Sequence, residues 1–296
     1  PAIEIASCFE PPTTPLGFNE LSIAGAIRGK AVELTPCVTI DEKCIANAEY
    51  VIEGELIVGA RVREDQNSNT GKAMPEFPGY TGPANPALPV IKVKAVTHRV
   101  NPIMQTCIGP SEEHVSMAGI PTEASILDMV ERAMPGRVQN VYAHSSGGGK
   151  FLAVIQFKKS VPSDEGRQRQ AALLAFSAFP ELKQVILVDE DVDIFDTNDI
   201  LWAMTTRMQA DVDIVTIPGV RCHPLDPSND ATMVSPAKLF MTPRSLIQKK
   251  HASNVLNLWK STSKNSCRIL LTKTDQKSRL RRAQRLNHTI YMARLF

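Results

Sequence analysis

The hydrophobic rhythm of the chain changes at Pro121, and no single repeating pattern accommodates both sides of that point. Thr122 opens a capping signature, TEASILDMVERAM, in which Ile126, Leu127, Val130 and Ala133 recur at helical spacing until Pro135-Gly136 ends it. Two strand-like runs, RVQNVYAHS and KFLAVIQFKK, flank Ser146-Gly147-Gly148-Gly149, which supplies turn chemistry for a hairpin. A helix from about Asp164 to Phe179, a buried strand QVILVD, a helix TNDILWAMTTRM and a strand DIVTIP follow. This alternation predicts an α/β domain over about 123–220.

Upstream of Pro121 the sequence is rich in Pro and Gly and carries short β-branched runs: KAVELTPCVTI, AEYVIEGELIVGARV and LPVIKVKAVTHRV. These read as strands joined by turns. One helix is expected at GFNELSIAGAI, with Asn19 or a neighbour as its cap and Leu21, Ile23, Ala24 and Ile27 facing inward. The first region is therefore mainly β, and 296 residues suffice for two domains, giving an α/β (α+β) chain overall. No internal repeat is apparent.

Several classes are set aside. No stretch approaches the roughly 18 consecutive apolar residues of a membrane span, and PAIEIASCFEPP lacks the basic-then-apolar layout of a signal peptide, so a cytoplasmic location is expected. Cys8, Cys37, Cys44, Cys107, Cys222 and Cys267 form no C-x-x-C pair and are read as reduced thiols. Charge is uneven: of 33 basic and 31 acidic residues, fourteen Lys or Arg and the single acid Asp275 lie from Ser235 onward. An acidic body thus carries a basic tail.

Two motifs invite a function and lack its parts. SSGGGK suggests a phosphate loop, but Phe151 follows Lys150 and His144 stands where the first glycine is required, so the hairpin reading prevails. Asp189, Asp191 and Asp193 alternate as in a calcium loop, yet Ile194 and Ile200 occupy the positions of its Gly and bidentate Glu. Acids at a strand end, with Asp196 or Thr197 capping the next helix, account for that run. His98 and His144 are read as structural.

Glu76 is different. In GKAMPEFPGYTG it is the one carboxylate, set among Pro75, Phe77, Pro78 and Tyr80. Burial beside such side chains penalises the charged form and suits a carboxyl group that holds a proton for a substrate, although an exposed turn acid has the same sequence.

Five fragments in order, FNELSIAGAIRGKAVEL, ANAEYVIEGEL, PEFPGYTG, VTHRVNPI and LVDEDVDIFDTNDILWAMTTRM, resemble the UbiD family of prenylated-FMN-dependent decarboxylases across about residues 3–230. CFEPPTTPLG and REDQNSNTGKAMPEFPGY are similar to the branch acting on hydroxylated benzoates such as protocatechuate or gallate. The resemblance implies part of a flavin-binding split β-barrel over 1–121, an α/β oligomerisation domain over 122–230 and a divergent basic tail over 231–296. It implies non-oxidative, reversible decarboxylation of a hydroxylated aromatic acid. Glu76 matches the acid that exchanges a proton at the carbon losing carbon dioxide, and Glu64 in VREDQ is the candidate second carboxylate. Glu20 in NELSIAG matches the glutamate that helps a divalent metal, usually manganese, with potassium as a further ion, hold the cofactor phosphate. His114 in GPSEEHVSM and His223 in VRCHPLDP fall in regions bordering the substrate pocket. The implied partners are the aromatic acid, a flavin prenyltransferase supplying the cofactor, and further copies of the chain.

The family also has an upstream portion, carrying an Arg that pairs with the catalytic acids and an Asn and a His of the metal and phosphate site, which this chain begins too late to contain. Residues 1–121 would then expose unpaired strand edges. After Asp230 the sequence matches nothing in the family and reads as an aberrant or divergent tail. The competing readings are an inactive gene fragment and a binding module whose basic tail contacts nucleic acid or anionic lipid.

Overall fold

The computed structural model describes residues 19–104, 109–220, 223–228 and 238–242. The basic stretch beyond 242, and with it any contact of the tail with nucleic acid or lipid, lies outside the described residues.

Helix α1 spans Glu20–Arg28 as its caps dictate: the Asn19 side chain accepts the Leu21 N–H at 2.8 Å, and Gly29 closes the helix at a φ of 72°. Its buried Ile23 and Ala24 pack with Ile27, Val32 and Ala124. Short strands β1 (Leu34–Pro36) and β2 (Lys43–Ile45) pair antiparallel. The long strands β3 (Tyr50–Val62) and β6 (Leu88–His98) form an antiparallel ribbon bulged beside Gly54. The hairpin of β4 (Lys72–Pro75) and β5 (Thr81–Pro83) carries the Glu76 turn at its tip. Glu53 on β3 is 2 % exposed, and its carboxylate accepts the Val38 and Thr39 N–H groups and the Thr39 hydroxyl. The Thr39 hydroxyl first, then the Val38 amide, hold this carboxyl below the ordinary glutamate range.

Helix α2 runs Glu112–Ala133 and begins ten residues before the expected start, capped by Ser111. Pro121 therefore lies inside it. A proline there forfeits one helical hydrogen bond. Ala118, Gly119, Pro121 and Thr122 are all buried, so tertiary packing overrides the local stop. The Thr122 hydroxyl, read as a cap, donates instead to the Ala118 carbonyl at 2.9 Å.

Strands β7 (Val138–Ala143), β8 (Leu152–Phe157), β9 (Gln184–Val188), β10 (Ile214–Ile217) and β11 (Lys238–Met241) form one sheet in the order β10-β11-β9-β8-β7. The β7–β8 hairpin is antiparallel, β8, β9 and β11 run parallel, and β10 pairs antiparallel with β11. β11 corrects an expectation: it lies in the stretch read as tail, yet it sits between β9 and β10. Helices α3 (Arg167–Ala178) and α4 (Thr197–Arg207) complete the layers. On one face Ala153, Ile155, Val185 and Leu187 meet Ile126 of α2 and Ala172 of α3. On the other, Val154, Ile186 and Val188 meet Ile200 and Ala203 of α4. Alternate residues of each strand thus serve opposite layers, and each fully buried aliphatic side chain contributes about 1.5–3 kcal/mol.

The acidic run after β9 has structural employment. Asp196 caps α4 by accepting the Asn198 N–H, Asp199 accepts the Asp193 N–H, and Arg207 grips Asp191 through two bonds of 2.8 and 2.6 Å. Burial pushes the Asp189 carboxyl above its usual range, against the pull of Lys159 and Arg207. No described helix is long and apolar enough to cross a membrane.

Candidate active site

The Glu76 turn is closed by two backbone bonds of 2.9 Å, Glu76 N–H to Tyr80 O and Gly79 N–H to Glu76 O, with Gly79 at a φ of 84°. Glu76 is half-buried and its neighbour Phe77 is 4 % exposed. Phe77 is the hub of the site. Its ring stands 5.0 Å from that of His223, 5.0 Å from Phe151 and 6.4 Å from His114, each in an edge-to-face arrangement. Lys150 Nζ lies 5.5 Å from its centroid.

The glycine run explains how Phe77 is seated. Gly148 has a φ of 64°, and a Cβ there would meet the Phe77 ring at 2.4 Å. At Gly149, φ 75°, a Cβ would strike the Val115 carbonyl of α2 at 2.5 Å. The SSGGG segment is therefore a notch that admits an aromatic ring and a helix backbone, consistent with the hairpin reading of SSGGGK.

The structure brings His114 and His223 to the ring of Phe77, the chain neighbour of Glu76. Gly109 lies between His114 and the Glu76 backbone, since a Cβ on it would approach His114 Nδ1 at 2.8 Å and the Glu76 carbonyl carbon at 3.1 Å. Among the described residues, His114 Nδ1 is buried without a hydrogen-bond partner, beside Gly109. His223 differs: its Nδ1 accepts the Leu225 N–H at 3.0 Å, and its Nε2 lies 3.3 Å from Glu181 Oε2.

Glu64 and Glu20 stand elsewhere. Glu64 is exposed, and its carboxylate accepts the Asn85 N–H at 2.8 Å. The buried acid of that segment is Asp65, which accepts the Gly71 N–H at 2.6 Å and pairs with Arg63 at 3.0 Å. The Gly71 amide chiefly holds its carboxyl below the usual range. Glu20 is exposed in the first turn of α1. Among the described residues, no three His, Cys, Asp or Glu side chains converge as a metal set. The exposed Glu20 carboxylate is chemically a hard oxygen donor of the kind a divalent cation takes.

Sequence reasoning missed Lys150, Phe151 and Glu181 as members of the cluster. Lys150 and Phe151 were visible only as failed phosphate-loop positions, and Glu181 carries no motif.

Comparison with known proteins identifies the architecture. Residues 1–112 match the Rift-related domain and residues 115–241 the C-terminal domain of 3-octaprenyl-4-hydroxybenzoate carboxy-lyase, and the chain belongs to the UbiD family. Within it, the chain is 66 % identical over 228 residues to the gallate decarboxylase of Lactiplantibacillus plantarum, covering 77 % of this chain and 46 % of that relative. The apo structure of a 3,4-dihydroxybenzoic acid decarboxylase from Enterobacter cloacae superposes with a TM-score of 0.76 at 55 % identity, over 87 % of this chain and 56 % of that one. An evolved dimeric form of the UbiD-class enzyme HmfF from Pelotomaculum thermopropionicum, in complex with prFMN, gives 0.68 at 34 % identity, over 86 % of this chain and 55 % of that one. The chain spans about half the length of the relatives it matches.

Proposed function

We propose that this chain is the proton-supplying part of a UbiD-type carboxy-lyase that decarboxylates a hydroxylated aromatic acid of protocatechuate or gallate type, non-oxidatively and reversibly. The observation that carries the reading is the packing of His114 and His223, from two distant segments, edge-on against Phe77, the residue next to Glu76. The names of the gallate and 3,4-dihydroxybenzoic acid decarboxylases support the substrate class.

Removing carbon dioxide from an aromatic ring leaves electrons in an sp2 orbital with no acceptor. Prenylated FMN supplies that acceptor when bound, and the prFMN complex of HmfF supports its use here. This chain's residues do the rest. Glu76 delivers a proton to the ring carbon that has lost its carboxylate, and takes it back in the reverse direction. Phe77, wedged in the Gly148 notch, fixes the backbone next to that acid and excludes water from one side. In this reading His114 and His223 line the phenolic end of the substrate, His114 with an Nδ1 that has no partner among the described residues. The arrangement supports Glu76 more than Glu64, whose carboxylate is spent on Asn85. Glu20 would lend one oxygen to manganese at the cofactor phosphate, with potassium as a further ion.

In this reading residues 1–121 serve the flavin and the α/β part mediates homo-oligomer contacts. A flavin prenyltransferase supplies the cofactor, and the reduced thiols of Cys37 and Cys44 suit a cytoplasmic setting.

The test is carbon dioxide release from protocatechuate or gallate by the full-length protein supplied with prenylated FMN and manganese. Glu76→Gln is expected to lower turnover at least about a hundredfold with an unchanged melting midpoint. Full activity in that variant would remove Glu76 from the reaction, and inactivity of the unaltered protein toward every aryl acid would reject the function.

A further inference from the structure

Glu181 joins the two groups that flank Phe77. Its Oε2 accepts from Lys150 Nζ at 3.2 Å and lies 3.3 Å from His223 Nε2. The backbone around it is braced: Leu182 is fully buried, and the Lys183 and Gln184 N–H groups both donate to the Phe151 carbonyl, at 3.0 and 2.8 Å. Lys183 in turn pairs with Asp226 at 2.8 Å, which ties this segment to the one bearing His223. Because the Leu225 N–H donates to His223 Nδ1, the proton of the neutral ring resides on Nε2, directed at Glu181.

We infer that Glu181 is a positioning residue: one carboxylate oxygen fixes the orientation of His223 and holds Lys150 over the Phe77 ring, presenting the Lys150 ammonium as the donor for a phenolic ligand. The last clause rests on the function proposed above; the positioning does not. The charged groups beside His223 are Glu181 and, through it, Lys150, with the Lys183–Asp226 pair behind.

Glu181→Gln keeps the shape and removes the charge. In the full-length protein without ligand, long-range proton–nitrogen NMR of the His223 ring is expected to show the Nε2–H tautomer, and Glu181→Gln to displace the Nε2 resonance. Glu181→Asp, which restores charge but not packing, is expected to recover at least half of that displacement. An Nδ1–H tautomer, or an Nε2 resonance unmoved in Glu181→Gln, would overturn the assignment. With protocatechuate, Glu181→Gln is expected to raise KM about tenfold with a smaller change in kcat, whereas equal KM values would overturn the donor role of Lys150. A displaced Nε2 resonance with no aryl acid bound by either protein would retain the positioning role and reject the functional reading instead.

Discussion

Strands β3 and β8 use similar residues and reach opposite ends. In β8, Ala153, Val154 and Ile155 are fully buried, while in β3, Ile52 and Leu56 are each 66 % exposed and Val58 is 98 % exposed. β8 has a strand on either side and helices over both faces; β3 has β6 alone among the described residues. Side-chain chemistry makes a strand in either place, but partners decide whether it acquires a core. A two-stranded ribbon is marginal by itself, and Ile91, Val93 and Val96 on β6 add to its apolar surface.

The sharpest way to break this comparison is truncation in each strand. Ile155→Ala is expected to cost about 2–5 kcal/mol in urea unfolding, against no more than about 0.5 for Leu56→Ala. Equal costs would mean that β3 is covered in solution. Next comes Gly148→Ala, at the seam between the two regions. It combines a left-handed φ with a 2.4 Å clash against Phe77, and about 1–3 kcal/mol of destabilisation, with a changed near-ultraviolet aromatic signal, is expected.

A gentler probe uses one carboxylate from each region. Glu53 and Asp164 both hold a turn by accepting backbone N–H groups, and both carboxyls sit below their usual ranges, Glu53 chiefly through Thr39 and Asp164 chiefly through Ser160. A depressed folded pKa stabilises above the unfolded value, and that stability is lost as pH falls through the folded one. Glu53→Gln and Asp164→Asn should therefore destabilise at pH 7; the difference should begin to shrink as pH falls below about 4 and vanish only below the depressed folded values. Persistence of the difference at lower pH would indicate packing rather than charge. The smallest effect on stability is expected from Val58→Lys, which should reduce self-association in light scattering while leaving the unfolding midpoint within experimental error.

The sequence carried the elements wherever local chemistry and tertiary need agreed. Asn19 and Asp196 cap the helices they were expected to cap, and the period-two runs of β7 and β8 form the predicted hairpin. It misled where packing outvoted local preference. Pro121-Thr122 reads as a helix start, but both residues are buried in the middle of α2. Lys238–Met241 lies in a stretch whose basic composition suggested a tail, and only its place beside β9 makes it a strand. The Glu76 loop was legible through its unusual setting; its surroundings were not. Lys150, Glu181 and His223 meet through loops distant in sequence, and no spacing rule reports such a meeting.

The Gly148 notch has a bearing on how the two family modules can be handled. Phe77 belongs to the first and its socket to the second, so the turn bearing Glu76 is pinned by a wedge anchored across the joint. Cutting the polypeptide near residue 113 would leave every atom of Glu76 intact on an unbraced hairpin. Excised, the first module would keep that side chain and lose the brace behind it.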